Sequence, residues 1–150
     1  MDEIFTLDAN VLVHATDPRD RRKQEIAREI IAGLRESNAI LTAVTLGEFF
    51  NVVARKFTTA ADARRRLQDF ITLVPVIAYD ETHILRAAAE VEAGRFSFWD
   101  AVMLACAEEA GCAICLSEDM SDGARLGNIA VRNPFGPHGL NDEIRAYLQP

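Results

Sequence analysis

The sequence predicts an α/β fold with a central, mostly parallel sheet of about five short strands between layers of helices. Short apolar, β-prone runs alternate with longer segments whose apolar residues recur at helical spacing along the 150-residue chain. Such alternation is typical of strand–helix–strand units, which build parallel sheets. Because no internal repeat, linker or low-complexity segment interrupts this pattern, we expect residues 1–150 to form a single domain.

Five segments are predicted to be strands because they are short, apolar and bounded by turn residues or helix signals. The first of them ends at Leu7, directly before an aspartate. Pro75 indicates the start of the third strand or an edge position in the sheet, because proline cannot donate a hydrogen bond to a neighbouring strand. In chain order, the predicted strands are residues 4–7, 39–42, 74–78, 113–116 and 129–131.

The remaining apolar segments are predicted to be helices, because of their spacing and the residues at their ends. An apolar helical segment that contains His14 follows the first strand, and Asn141 is suited to cap the last helix. Thr45 can cap the helix after the second strand, and Glu48 would then complete a capping box. The longer predicted helices are residues 18–36, 45–57, 59–72, 80–94, 97–111 and 141–148.

The charge and composition of the chain narrow the classes of function. The formal net charge of −7 argues against broad, non-specific adhesion to nucleic acids. It is compatible with a nucleic-acid enzyme whose acidic site is neutralised by metal ions. No apolar run approaches the length of a membrane span, and the first three residues carry no basic charge. We therefore expect a cytoplasmic protein with no membrane partner.

The three cysteines are predicted to be reduced and structural. Their odd number and the lack of an export signal argue against disulfides. Cys112 and Cys115 have the C-x-x-C spacing of some metal and redox sites, but no second such pair or histidine pair accompanies them. Because Cys115 also falls in a predicted strand, buried structural cysteine is the favoured interpretation.

Four acidic residues are predicted to converge at one edge of the sheet. Asp8 and Asp119 closely follow predicted strands, whereas Glu48 and Asp100 lie in the first turns of predicted helices. In a parallel sheet, strand ends and the following helix starts share one edge, where ligands bind. A helix cap is the structural alternative for Asp8, and the capping box is the alternative for Glu48.

Carboxylates gathered in this way would determine the chemistry of the site. They repel each other, so a protein that collects them usually supplies a counter-charge. Hard oxygen ligands select Mg²⁺ or Mn²⁺, and such ions polarise phosphates, generate hydroxide and stabilise leaving oxygens. Chemistry on a phosphodiester is therefore expected if the four residues converge. None of the three histidines is placed as an obligatory base.

Four short motifs occur in order along most of the chain: LDANVLV at 7–13, TLGEF at 45–49, FWDA at 98–101 and LSEDM at 116–120. In order and spacing they resemble PIN-domain proteins, specifically the VapC-type toxin ribonucleases of type II toxin–antitoxin pairs. The resemblance implies a PIN-like three-layer α/β/α sandwich and a metal-dependent endoribonuclease that hydrolyses RNA phosphodiester bonds. It also implies a cognate antitoxin protein and a homodimer.

The resemblance further implies which residues would bind Mg²⁺ or Mn²⁺. Asn10 and Ser117 would support the site by orienting carboxylates or bound water. Asp122 competes with Asp119 for the place of the fourth acid, because it follows only three residues later. The implied cluster, both catalytic and metal-binding, is Asp8, Glu48, Asp100 and Asp119.

Basic residues and one tryptophan are the candidate RNA contacts. Phosphate contacts need cations but carry no sequence information. Solvated helix faces and partners of helix C-terminal dipoles are the structural alternative for the cations. The tryptophan, beside Asp100, can either stack on a base or pack to fix a helix start. These candidates are Arg19, Arg22, Lys23, Arg55, Lys56 and Trp99.

Three functions are compatible with this pattern. The favoured one is the toxin ribonuclease, and the second is a PIN-like RNA-processing or DNA-directed nuclease. The third, a PIN-like binding module without turnover, is disfavoured because all four expected acids are present. A neighbouring gene for a small basic-tailed or DNA-binding protein would separate the first from the second, and metal-dependent cleavage would separate both from the third.

Overall fold

The computed structural model describes residues 2–149; Met1 and Pro150, the two ends of the predicted domain, lie outside the described residues. No helix in that range is both long enough and apolar enough to cross a membrane. The strands are β1 Ile4–Leu7, β2 Ala39–Thr42, β3 Val76–Ile77, β4 Cys112–Leu116, β5 Arg125–Leu126, β6 Ile129–Arg132, β7 Phe135–Gly136 and β8 Gly139–Leu140. The helices are α1 Ala9–His14, α2 Arg21–Gly33, α3 Ala43–Lys56, α4 Ala60–Leu73, α5 Glu81–Glu92, α6 Phe98–Glu109 and α7 Asp142–Arg145.

The strands form a six-stranded sheet in the order β3-β2-β1-β4-β6-β5 and a separate β7–β8 hairpin. Neighbouring strands from β3 to β6 pair in parallel, and only β5 runs antiparallel, against β6. The predicted strands are the five parallel ones, so the mostly parallel sheet is confirmed. The sequence missed β5, β7 and β8, because two-residue strands are too short to show a period.

Helices cover both faces of the sheet, and each face has its own apolar core. On β2, Leu41 joins the core shared with α1, α2, α3 and α4, whereas Ile40 joins the core shared with α5 and α6. Successive strand residues point to opposite faces, so a strand buried on both sides is apolar throughout. This arrangement confirms the predicted three-layer α/β/α sandwich.

Several element boundaries differ from the sequence prediction, and two of them have a clear local reason. The helix expected from residue 18 begins at Arg21, because the side chain of Asp20 caps it by accepting from the Lys23 amide at 3.1 Å. The third strand is shorter than residues 74–78 and lies at one edge of the sheet. That edge position agrees with the interpretation of Pro75.

Thr45 does not cap α3, so the capping box that was the structural alternative for Glu48 is wrong. Helix α3 begins at Ala43, and Thr42 is its N-cap, accepting from the Thr45 amide at 3.2 Å. The Thr45 hydroxyl instead donates to the carbonyl oxygen of Leu7 at 3.0 Å and ties the helix to β1. Glu48 therefore lies in the second turn of α3 rather than the first.

The prediction of buried, reduced cysteines is confirmed. Cys106, Cys112 and Cys115 are all free and buried. Burial raises the pKa of the Cys106 thiol to about 11 and that of the Cys112 thiol to about 12. Thiols with such pKa values carry almost no thiolate at neutral pH, which fits a packing role rather than a reactive one.

The strand order determines at which point along the sheet edge a binding cleft forms. The chain runs from β1 outward through β2 to β3 and then returns to β4 on the other side of β1. The carboxyl ends of β1 and β4 therefore form a switch point, where open α/β sheets bind ligands. Asp8 follows β1 there, and Ser117 follows β4.

Candidate active site

A cavity of about 680 Å³ opens at this edge of the sheet. In the part of the chain that the structure describes, all four predicted acids line this cavity and Asp122 does not. Asp122 instead accepts from the Asn133 amide at 2.9 Å and lies 3.5 Å from the Arg132 guanidinium. The cavity is lined by Asp8, Ala43, Val44, Gly47, Glu48, Asn51, Tyr79, Ser97, Trp99, Asp100 and Asp119.

Asp8 is both a helix cap and a wall of the cavity. It is the N-cap of α1, and its Oδ1 accepts from the Ala9 amide at 2.7 Å. Its Oδ2 accepts from the Ser117 hydroxyl at 2.9 Å and from the Asn10 amide group at 3.2 Å. The same side chain, which is 3% exposed, therefore caps a helix and lines the cavity.

Asn10 and Ser117 connect the β1–α1 junction to the loop after β4. The Asn10 side chain donates to the Ser117 hydroxyl oxygen at 3.1 Å and accepts from the Glu118 amide at 3.4 Å. The Ser117 hydroxyl oxygen also accepts from the Asp119 amide at 3.3 Å. These bonds fix the orientation of the Asp8 carboxylate relative to the loop that carries Asp119, as the outer partners of metal-binding carboxylates do.

The described side chains that line the cavity include four acids and no base. Burial raises the pKa of Asp8 to about 7, against the hydrogen bond from Ser117, and the Asp100 and Glu48 carboxylates raise it further. The pKa of Glu48 is also raised, by burial first and then by Asp100 and Asp119. Among the described residues, no lysine, arginine or histidine lines the cavity. The fold therefore gathers these carboxylates without supplying a cation of its own.

Asp100 is the third residue of α6 and is held by the residue at the start of that helix. Ser97 is the N-cap of α6, but its hydroxyl makes no bond to a backbone amide of the helix. It donates instead to Oδ2 of Asp100 at 2.8 Å. The residue that would ordinarily cap the helix thus orients a carboxylate in the cavity wall.

The acidic donors fit a hard divalent cation whose coordination is completed by other oxygens. Within residues 2–149, no group of three His, Cys, Asp or Glu side chains is arranged to hold a metal ion by itself. Mg²⁺ usually keeps several waters and is bound through one or two carboxylates together with substrate phosphates. A cavity lined by four carboxylates suits that mode of binding better than a closed protein cage.

The predicted basic contacts lie outside this cavity. Arg19 pairs with Asp17 at 2.8 Å, and Lys23 pairs with Glu118 at 2.6 Å. The Arg22 guanidinium donates to a backbone carbonyl oxygen, that of residue 136. The two cations at the end of α3, Arg55 and Lys56, are exposed. As RNA contacts, all five stay predictions.

Besides Ser97, sequence reasoning missed Asn51, Tyr79 and Arg95, which lie at or beside the cavity. Asn51 follows Glu48 by three residues and lines the cavity from the same helix, which the helical period would have indicated. Tyr79 follows the end of β3, as Asp8 follows the end of β1. Arg95 lines an adjoining cavity that shares Asp100 and Asp119. The sequence gives no signal for Arg95, because its place depends on the loop between α5 and α6.

Comparison with known proteins identifies the family. The family model of the PIN domain matches residues 5–121, and that range contains all four acids. This chain belongs to the PIN domain family. The resemblance inferred from the four motifs is thereby confirmed at the level of the domain. No curated protein matches the chain at a significant level of sequence similarity.

Solved PIN-fold structures share the architecture at low sequence identity. VapC20 of Mycobacterium tuberculosis, described as a toxin that cleaves the sarcin–ricin loop, has a TM-score of 0.62 and 17% identity over 79% of this chain and 90% of its own. A chain of the VapBC2 complex of Rickettsia felis has a TM-score of 0.65 and 15% identity over 87% and 98%. A chain of a toxin–antitoxin complex of Klebsiella pneumoniae has a TM-score of 0.61 and 17% identity over 83% and 94%. At these identities, the similarity establishes the shared fold.

Proposed function

We propose that this PIN domain is a cytoplasmic, metal-dependent endoribonuclease that hydrolyses RNA phosphodiester bonds as the toxin of a toxin–antitoxin pair. One observation carries the proposal: four carboxylates line a cavity at the sheet's switch point with no cation among the described lining residues. Such a cavity repels a phosphate, because like charges repel. It becomes a site for phosphodiester chemistry when a divalent cation occupies it.

The proposal assigns metal binding to the four acids and assigns the orientation of two of them to neutral side chains. Asp8, Glu48, Asp100 and Asp119 would hold Mg²⁺ or Mn²⁺ together with water. The ion would supply Lewis-acid polarisation of a phosphate and activation of water for attack. Ser117 and Asn10 hold Oδ2 of Asp8, and Ser97 holds Oδ2 of Asp100. These bonds limit the movement of both carboxylates, so less entropy is lost when the cation binds.

The pKa of Asp8 adds a pH dependence to metal binding. With a pKa raised to about 7, the Asp8 carboxyl keeps a proton for part of the time at neutral pH in the metal-free protein. A metal ligand must be deprotonated, so the cation competes with that proton. The affinity for Mg²⁺ or Mn²⁺ should therefore rise with pH up to and somewhat beyond pH 7.

RNA is the favoured substrate because the similar fold of VapC20 belongs to a toxin described as cleaving the sarcin–ricin loop. Arg95 is a candidate phosphate contact, because it lines the adjoining cavity beside Asp100 and Asp119. Its guanidinium is exposed and pairs with Glu90 at 2.7 Å. A phosphate can share a guanidinium with a carboxylate, since the guanidinium has five N–H donors.

The toxin role and the antitoxin partner rest on the shared fold of toxin–antitoxin complexes. An antitoxin would inhibit this site most directly by placing a basic or bulky segment over the acidic cavity. Arginine is suited to this because its planar fork bonds a carboxylate through two N–H groups. A homodimer is part of the same proposal.

The test is cleavage by the purified protein of one RNA and of DNA of the same sequence, each in Mg²⁺, Mn²⁺ or chelator. The proposal expects metal-dependent cleavage of RNA. Cleavage of DNA alone would favour a DNA-directed nuclease, and RNA binding without cleavage in either metal would favour a binding module. Co-expression with the product of the adjacent gene should suppress cleavage and yield a stable complex. Without such a partner, the toxin role should be replaced by a non-toxin RNA-processing role.

A further inference from the structure

Two aromatic side chains stand at the rim of the acidic cavity without being part of either core. Tyr79 and Trp99 are 39% and 53% exposed, and both line the cavity. Their rings meet edge to face, with centroids 5.9 Å apart and planes at 70°. Burying a large aromatic side chain is one of the largest stabilising contributions available to a fold. Because Tyr79 and Trp99 stay partly exposed, the fold does not gain the full stabilisation that their burial would give.

The position of the tryptophan is fixed relative to the acids. Trp99 directly precedes Asp100 in the first turn of α6. Its ring also packs against Phe98, with centroids 5.0 Å apart and planes at 75°. Two ring contacts and a helical backbone therefore hold the indole beside a carboxylate of the site. Tyr79 approaches from the segment between β3 and α5.

The charge of the cavity determines which part of an RNA these rings can bind. The described lining residues include no cation, so this wall attracts no phosphate. A nucleobase is uncharged at neutral pH and stacks on an aromatic ring without a counter-charge. Such stacking contributes about 1–3 kcal/mol per base and tolerates any base. Only unpaired bases expose their faces, because duplex bases are already stacked on their neighbours.

We propose that Tyr79 and Trp99 form a stacking platform for an unpaired nucleobase next to the scissile phosphate. This inference rests on the proposed nuclease function, which it deepens by assigning the base-binding part of the same cavity. The pair Tyr79–Trp99 is called the aromatic platform below.

Trp99 is the only tryptophan in the chain, so its fluorescence reports on the platform alone. The cleavage-deficient Asp8→Asn protein in Mg²⁺ should be titrated with a short single-stranded RNA, with the same RNA carrying abasic residues, and with a blunt duplex. We expect the single strand to quench the tryptophan emission. The abasic strand, which has the same length and charge, and the duplex should leave the emission nearly unchanged.

Substitutions test the same inference through the kinetics of cleavage. Trp99→Leu should raise the KM for single-stranded RNA by about 5- to 150-fold, the factor that corresponds to the loss of one stacked base, with little change in kcat. Trp99→Phe should recover most of the loss, because it keeps an aromatic face. Tyr79→Leu should raise KM less. Leu85→Ala is the matched control, because Leu85 is 71% exposed and does not line the cavity.

The outcomes distinguish a failure of the aromatic platform from a failure of the proposed nuclease function. Equal quenching by the abasic strand, or equal KM values for Trp99→Leu and Trp99→Phe, would overturn the platform and leave the nuclease intact. Base-dependent quenching by a wild-type protein that cleaves no RNA would support the platform and reject the nuclease. If Trp99→Leu keeps its KM for RNA but loses binding of the adjacent gene product, the two rings serve a protein partner and the inference is wrong.

Discussion

Asp8 and Asp17 are both nearly buried aspartates at the ends of α1, yet their surroundings move their pKa values in opposite directions. They are 3% and 7% exposed. The Arg19 guanidinium donates to both carboxylate oxygens of Asp17, at 2.9 and 2.8 Å, and lowers the pKa of that group to about 2. Burial, with added repulsion from other carboxylates, raises the pKa of Asp8 to about 7.

The comparison shows that this fold pairs several acids with cations outside the cavity, whereas no described cation lines the cavity itself. Asp62 accepts from Arg65 and Arg66, and Glu90 accepts from Arg95. The arginines needed for pairing are thus available in the chain, and none of those described lines the acidic cavity. A counter-charge for an ionised Asp8 would therefore have to come from a bound species, which is the physical basis of the metal proposal.

The largest expected effect is on catalysis. Asp8→Asn should reduce metal-dependent RNA cleavage by about a thousandfold or more, because it removes a charged ligand at nearly constant volume. Asp17→Asn makes the same chemical change in the paired aspartate and should leave the rate close to that of the wild type. Initial cleavage rates of the purified proteins in Mn²⁺ measure both. Comparable losses in the two variants would show that the acidic cavity has no special role.

The second effect is on stability and depends on pH. Below its ordinary pKa of 3.8, Asp8 is protonated in both the folded and unfolded chain and contributes nothing. As the pH rises from 3.8 to about 7, the unfolded chain loses this proton first, so the folded state loses stability. Above about pH 7 the full cost is about 4 kcal/mol. Asp8→Asn removes this cost.

Urea unfolding in chelator at two pH values measures that cost directly. The gain in unfolding free energy from Asp8→Asn should be roughly 2–3 kcal/mol larger at pH 8 than at pH 5. Asp17→Asn is the control with the opposite sign. Its lowered pKa contributes stability above pH 3.8 that is lost as the pH falls to about 2. The variant should therefore be destabilised equally at pH 5 and pH 8. A pH-independent effect of Asp8→Asn would show that ionisation of the buried Asp8 carboxyl does not destabilise the fold.

Much of the fold was predictable because its signals are local. The parallel strands are apolar runs, and the switch point follows from strand order once the acids are placed after strands. The four acids could be grouped from the sequence for the same reason. The choice between Asp119 and Asp122 could not be made, because it depends on a hydrogen bond between Asp122 and the Asn133 amide from a later strand end.

The sequence could not predict which charged or aromatic residues contact each other. Lys23 looked like an RNA contact, but its partner Glu118 is 95 residues away along the chain. Tyr79, from the segment between β3 and α5, meets Trp99 in α6, and no period of either segment indicates this contact. Contacts of this kind are set by tertiary packing, so local patterns predict neither the partner nor the exposure.

The smallest of the three effects is the thermal response to metal. Mn²⁺ binds the folded cavity and hardly binds the unfolded chain, so at roughly a hundred times its dissociation constant it should stabilise by about 2.7 kcal/mol. For a chain of this size, that corresponds to a rise in Tm of about 5–10 °C. Asp100→Asn should raise the Tm in chelator, because it relieves repulsion with Asp8 and Glu48, and should reduce the gain on adding Mn²⁺.

Asp62→Asn is the matched control for this measurement. Asp62 follows the N-cap Thr59 by three residues, as Asp100 follows the N-cap Ser97, so both are the third residue of a helix. Asp62 is paired with arginines, and its hydrogen bonds, above all from the Thr58 hydroxyl, lower its pKa. Asp62→Asn should therefore lower the Tm in chelator and keep the full Mn²⁺ gain. If Asp100→Asn behaves in the same way, its carboxylate serves the helix rather than a metal, and the acidic cavity does not bind Mn²⁺ through this residue.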